Sequence, residues 1–208
     1  MPRDFSLRGP MALTFVRGAR GNVVIFAPGS NPFGSLSLVS QDGLTIFCKS
    51  RQAAAVKINQ GGLRPTFYFG ADGSSNGLNA YLEAVERSIL LGEDAMVSHD
   101  VAVMCSDFHA VVQRSTLQPV NPPADVVIEP HVWLGRESVL MKGVTVGFGA
   151  IVGVRALVTK SVEPFSAVGG SPAKVVRSDT TWFRSTAPKQ GEIDEFMKRE
   201  AEFLAKPA

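Results

Sequence analysis

The side chain best suited to acid–base work is that of His109. Imidazole titrates near neutral pH, so it can take a proton from an attacking group and pass it to a leaving one. Asp107 precedes it by two residues, which in an extended segment puts both side chains on one side. There Asp107 would orient the imidazole or hold an acceptor; the alternative is a corner aspartate bonded to its own backbone. Trp133 is one of two tryptophans. Its flat ring and indole N–H suit a site wall, with plain packing as the alternative. The other two histidines, His99 and His131, complete the set of three and are expected to face solvent.

A sixfold repeat must position these groups. From Ile128 the leading residues are Ile128, Leu134, Leu140, Val146, Val152 and Val158, all aliphatic. Four places after each stand Val132, Ser138, Val144, Ala150, Ala156 and Val162, all small or β-branched. A period of six fits neither a helix nor a plain strand. It fits a coil of three flat sides, each a short strand and a bend, with one aliphatic side chain per side pointing inward. Gly135, Gly143, Gly147, Gly149 and Gly153 suit tight corners. The same rhythm runs upstream through Leu91, Val97 and Val103 until Asp107 breaks it.

The rest of the chain is organised around that coil. Residues 16–88 alternate short apolar runs (Val23–Phe26, Leu36–Val39, Leu44–Phe47, Thr66–Phe69) with polar turns and read as irregular early coils. Residues 109–127, with Gln113, Arg114, Asn121 and three prolines, read as a loop leaving the scaffold, where function tends to sit. From residue 185 the pattern turns helical, with Ile193, Phe196, Met197, Ala201 and Leu204 on one stripe, to cap or brace the last coils. The division is thus a β-helix domain over 1–184 and an amphipathic helix over 185–208. A net charge of +2 gives no footprint for nucleic acid, and no apolar run is long enough to span a bilayer. Two cysteines, Cys48 and Cys105, make no disulfide framework, and residues 1–15 carry no signal-peptide core, so a cytoplasmic protein is expected.

Three segments carry a family resemblance. His131-Val132-Trp133-Leu134-Gly135 resembles the "HVWIG" coil of hexapeptide-repeat acyltransferases. Gly169-Gly170-Ser171-Pro172-Ala173-Lys174-Val175-Val176-Arg177 resembles their closing "GGNPAKVIR" signature. Ser106-Asp107-Phe108-His109 resembles the "SDxH" motif of a subgroup that includes capsular polysaccharide and polysialic acid O-acetyltransferases. The resemblance covers roughly residues 75–180.

The resemblance implies an all-β fold: a left-handed parallel β-helix with a protruding loop and a C-terminal α-helix. It also implies a homotrimer with sites between subunits, acetyl-CoA as donor, a carbohydrate acceptor and no metal. His109 would be the general base, with Trp133 close by and Asp107 in support. Coenzyme A would lie along Gly153, Val154 and Ala156, with Thr159, Lys160, Lys174 and Arg177 toward its phosphates. Arg155 departs from the family's small residue there, and would add a phosphate contact or narrow the groove. Gln113, Arg114 and Asn121 would meet the acceptor. Gamma-class carbonic anhydrases share the fold and bind zinc through histidines, including a pair five residues apart; His99, His109 and His131 contain no such pair. O-acetylation of a glycan hydroxyl is the first expectation, N-acetylation of an amino-sugar nucleotide or small amine the second, and a scaffold without a donor site the third.

Overall fold

A computed structural model describes residues 11–15, 18–52 and 54–205. The outer limits expected for the two domains, residues 1 and 208, lie outside the described residues. The strands are β1 (Met11–Phe15), β2 (Val23–Phe26), β3 (Pro32–Leu38), β4 (Leu44–Phe47), β5 (Ala54–Gly61), β6 (Thr66–Phe69), β7 (Ser74–Glu83), β8 (Ser88–Leu91) and β9 (Met96–Val97). They continue as β10 (Val101–Met104), β11 (Val126–Ile128), β12 (Trp133–Leu134), β13 (Val139–Leu140), β14 (Thr145–Val146), β15 (Ile151–Val152), β16 (Leu157–Val158), β17 (Ala167–Gly169) and β18 (Lys174–Arg177), followed by helix α1 (Gln190–Leu204).

These strands wind into a parallel β-helix of three faces. The first face stacks β2, β4, β6, β8, β11 and β14. The second stacks β9, β12, β15 and β17, and the third stacks β10, β13 and β16. In the early coils β3, β5 and β7 run through the bend between the second and third faces. The start of β7 pairs with β9 and its end with β10. The final strand, β18, folds back antiparallel onto β17. Backbone pairing between coils satisfies the main-chain groups that a solenoid would otherwise leave bare.

The expected columns are the core. All six leading residues from Ile128 to Val158 and all six small-column residues from Val132 to Val162 are buried. The early strands were only partly legible because the coil there is longer. Val23 pairs with Leu44 and Thr66 with Ser88, 21 and 22 residues on, whereas Val127 pairs with Thr145, 18 residues on. The added residues stretch the sixfold rhythm. The buried alternation of Ala54, Val56 and Ile58 in β5 and of Leu78, Ala80 and Leu82 in β7 replaces it.

The glycines act differently from the expectation. Of the five named, only Gly143 and Gly149 have positive φ. Gly135 and Gly147 are required by close approach, since a Cβ would come within 2.5 Å of Val152 O and 2.4 Å of Pro164 N on the next coil. Several left-handed corner positions are taken by non-glycine residues, among them Asp94, Asp100, His131, Glu137 and Arg155.

Helix α1 lies along the corner between the first and second faces and not over an open end. Phe196 meets His131 and Phe148 at tilted angles and Phe183 edge-on, and Phe203 stacks over Phe148 at 4.6 Å. Arg199 reaches Asp72 at 2.9 Å and Glu93 at 3.6 Å, while Arg51 meets Glu195 at 3.3 Å. The docked face is therefore Phe196, Arg199 and Phe203, which share one side at spacings of three and four. Met197 and Leu204, expected on that stripe, are 54% and 67% exposed, and Ala201 is exposed too. The corner presents carboxylates as well as rings, so an arginine belongs on the buried side. No helix among the described residues is long and apolar enough to cross a membrane.

Candidate active site

Each histidine falls on a different corner of the prism. His131 lies between the first and second faces, His99 between the second and third, and His109 between the third and the first. His99 is exposed, as expected. His131 is not: it is buried, with Nδ1 2.8 Å from Asp94 Oδ2 and Nε2 2.9 Å from the Trp182 carbonyl. Its ring stacks on Trp182 at 4.5 Å and 7°. The expectation of a surface residue fails because the segment after β18 folds back over this corner, a contact that no local pattern announces. Among the described residues no group of histidine, cysteine, aspartate or glutamate is placed to hold a metal ion.

His109 stands exposed where β10 gives way to the loop. An open cleft of about 260 Å³ adjoins it, lined in part by Glu83, Ser106, Asp107, Phe108, Pro119 and Asn121. The turn into the histidine is fixed locally. Phe108 has φ 61°, its N–H donates to Ser106 Oγ at 3.4 Å, and its ring meets Tyr81 edge-on at 6.0 Å. The His109 N–H donates to Asp107 O at 2.7 Å.

Asp107 does not contact the imidazole through any hydrogen bond. Its Oδ2 accepts from Lys142 Nζ and, at 2.7 Å, from Asn121 Nδ2. The Lys142 ammonium, helped by the Asn121 amide, holds this carboxyl below its ordinary range. Asn121 is likewise engaged: Nδ2 also donates to the His109 carbonyl at 2.9 Å, and Oδ1 accepts from the Val111 N–H at 2.7 Å. Both of its amide hydrogens and one lone pair of Oδ1 serve the loop base, which leaves only the second Oδ1 lone pair for the acceptor contact expected of Asn121. Gln113 sits in the tight tip, its Oε1 accepting from Thr116 Oγ1 at 3.1 Å. Arg114 is exposed beside it. The loop itself is shorter than expected, because Val126 and Val127 already belong to β11, paired with Ile89 and Leu90.

Trp133 lies away from this cleft within one chain. It is on β12 of the second face, with its indole N–H donating to Ser98 Oγ at 3.3 Å and its ring 6.2 Å from that of Trp182. Gly153, Val154, Arg155 and Ala156 form the corner between the second and third faces. Val154 is exposed, while Ala156 is buried in the core column and offers only backbone. Arg155 extends into solvent and pairs with Glu137 one coil back at 2.6 Å. Thr159 and Lys160 are exposed on the corner between the third and first faces, below the loop that carries His109. Lys174 and Arg177 are exposed on β18. Unpaired among the described residues, Lys160, Lys174 and Arg177 are suited to phosphates. No sequence pattern pointed to Lys142 or Glu83; coil-to-coil register brings Glu83 to the cleft of His109 and Lys142 to Asp107 and Asn121.

The crystal structure of the polySia-specific acetyltransferase NeuO superposes with a TM-score of 0.73, over 92% of this chain and 91% of that one, at 20% identity. The fold is that of the left-handed β-helix acetyltransferases. In sequence, the chain is 57% identical to a chloramphenicol acetyltransferase of Agrobacterium fabrum over 56 residues, 27% of each protein. It is 35% identical to a polysialic acid O-acetyltransferase of Escherichia coli over 98 residues, 47% of this chain and 32% of the relative. The matches span about a third or less of these curated relatives. No family model matches the chain.

Proposed function

We propose that this protein is an acetyltransferase that moves an acetyl group from acetyl-CoA to a sugar hydroxyl of a surface glycan or its precursor. The observation that carries the reading is the exposed His109 imidazole at the mouth of an open cleft, on the flank of a fold shared with acetyltransferases. His109 takes the proton of the acceptor hydroxyl as its oxygen attacks the thioester carbonyl. The tetrahedral intermediate then collapses, the C–S bond breaks, and the same proton passes to the departing thiolate. The donor is already activated, so this sequence needs no covalent enzyme intermediate.

The pantetheine arm runs along the backbone of Gly153, Val154 and Ala156, with Thr159, Lys160, Lys174 and Arg177 toward the phosphates. Arg155 is turned to Glu137, which supports a pose in which it does not narrow the groove. Trp133 lies on the second face of one chain and His109 on the corner between its third and first faces, so a site using both is composed from neighbouring copies, as in a homotrimer. Asp107 and Asn121 hold the loop, which leaves Arg114 and Gln113 as the tip that meets the acceptor.

A second reading, a small-molecule hydroxyl acceptor, is favoured by the 57% identity to a chloramphenicol acetyltransferase segment. The test is thiol release from acetyl-CoA with oligosialic acid, chloramphenicol and an amino-sugar nucleotide, with products read by mass spectrometry. Acetylated oligosialic acid supports the first reading, acetylated chloramphenicol the second. Turnover confined to the amine shows N-acetylation and refutes both.

A further inference from the structure

One lysine on the coil after β13 holds both ends of the loop that bears His109. Lys142 Nζ donates to Asp107 Oδ2 at the loop's departure and, at 2.9 Å, to Asn121 O on its return. Asn121 then ties the two strands of the loop to each other through Asp107, His109 O and Val111 N. The peptide groups on both sides of the His109 Cα are thus hydrogen-bonded into one cluster. Lys142 is its cation, and the Lys142 and Asp107 side chains are only 19% and 29% exposed.

We infer that Lys142 is a positioning residue for His109, acting through Asp107 and Asn121 and never touching the reactants. The inference rests on the reading of His109 as base. Without the ammonium, the Asp107 carboxylate keeps only the Asn121 amide as a donor, and the nearby Asn121 backbone carbonyl loses the donor it shares with that carboxylate. The two acceptors repel, the loop base widens, and the imidazole leaves the line of attack; misplacement by about 1 Å costs on the order of a hundredfold in rate. Coenzyme A, held elsewhere on the coil, is bound as before. The signature is therefore a fall in kcat with KM for acetyl-CoA retained.

The test compares full-length wild type, Lys142→Met, Lys142→Arg and His109→Ala. Each is assayed with acetyl-CoA and whichever of oligosialic acid and chloramphenicol the wild type acetylates. Each is also digested with trypsin, scoring the cut after Arg114 at the loop tip. Lys142→Met is expected to lower kcat about tenfold or more, keep KM for acetyl-CoA within about twofold, and quicken the Arg114 cut at least about fivefold. Lys142→Arg restores both. If Lys142→Met does not fold, Lys142→Gln, which keeps a donor for one of the two acceptors, is read the same way. An unchanged Arg114 cut overturns the clamp whatever the acceptor. Full kcat in Lys142→Met beside an inactive His109→Ala overturns the positioning role and spares the base. Turnover retained in His109→Ala removes the base itself, and the inference with it.

Discussion

Replacing Asp94 by alanine should release the C-terminal helix from the coil. Asp94 is the hub of the covered corner: Oδ2 faces His131 Nδ1 at 2.8 Å, and Oδ1 accepts from Arg184 Nη2 at 2.8 Å and Nε at 3.3 Å. Its side chain is only 8% exposed. Burial pushes the carboxyl up, but hydrogen bonds from His131 and Arg184 outweigh it and leave the pKa below its ordinary value. Removing one partner of a buried pair costs about 3–5 kcal/mol. Arg184 keeps some access to water at 22% exposure, so the low end, about 3 kcal/mol, applies here. That is roughly a hundredfold in the opening equilibrium of residues 182–204. The assay is amide hydrogen exchange over α1, with the β-helix amides as internal reference. Because the folded-state pKa is depressed, the stabilisation is complete above the unfolded carboxyl's range, near pH 4. It is lost as pH falls through the lower folded value. Wild-type helix protection should therefore decay in acid, and Asp94→Ala should show a smaller acid dependence, the remainder coming from Asp72 and Glu93 paired with Arg199. Helix exchange unchanged by the substitution would refute the reasoning.

The other expectations concern core, corner and donor groove. Leu134→Ala, in the leading column, should cost about 2–5 kcal/mol and lower the melting temperature by roughly 2–4 °C per kcal/mol, read by calorimetry. Gly135→Ala should destabilise through its Cβ at 2.5 Å from Val152 O, and a melting temperature equal to wild type would contradict that packing. Lys160→Ala and Lys174→Ala should each weaken coenzyme A binding by calorimetry and reduce its salt dependence. Arg155→Ala should leave both melting temperature and coenzyme A affinity near wild type, since its exposed pairing with Glu137 is screened by solvent.

How much of this was readable in the sequence depended on the distance over which each feature is encoded. Leu134 and Val152 announce an inward column because the repeat is local and strict. Ala54 and Leu78 did not, because their coils carry extra residues that blur the period. The loop was legible from the break at Asp107, but the partners of Asp107 were not. Lys142 occupies an ordinary polar place of its own hexad, and only stacking of one coil on the next delivers its ammonium. His131 misled for the same reason in reverse: its place suits a solvent-facing corner until Trp182 and Phe196 arrive from some 50 residues or more downstream. Met197 and Leu204 likewise fit an apolar stripe, yet the acids at Asp72 and Glu93 turn Arg199 inward instead.

The most direct measurement is the steady-state rate of His109→Ala, folded as judged by its melting transition, with saturating acetyl-CoA and an accepted hydroxyl substrate. Loss of the general base predicts a fall in kcat of about 10²–10⁴ with coenzyme A still bound. A variant turning over at the wild-type rate would contradict the account at its centre.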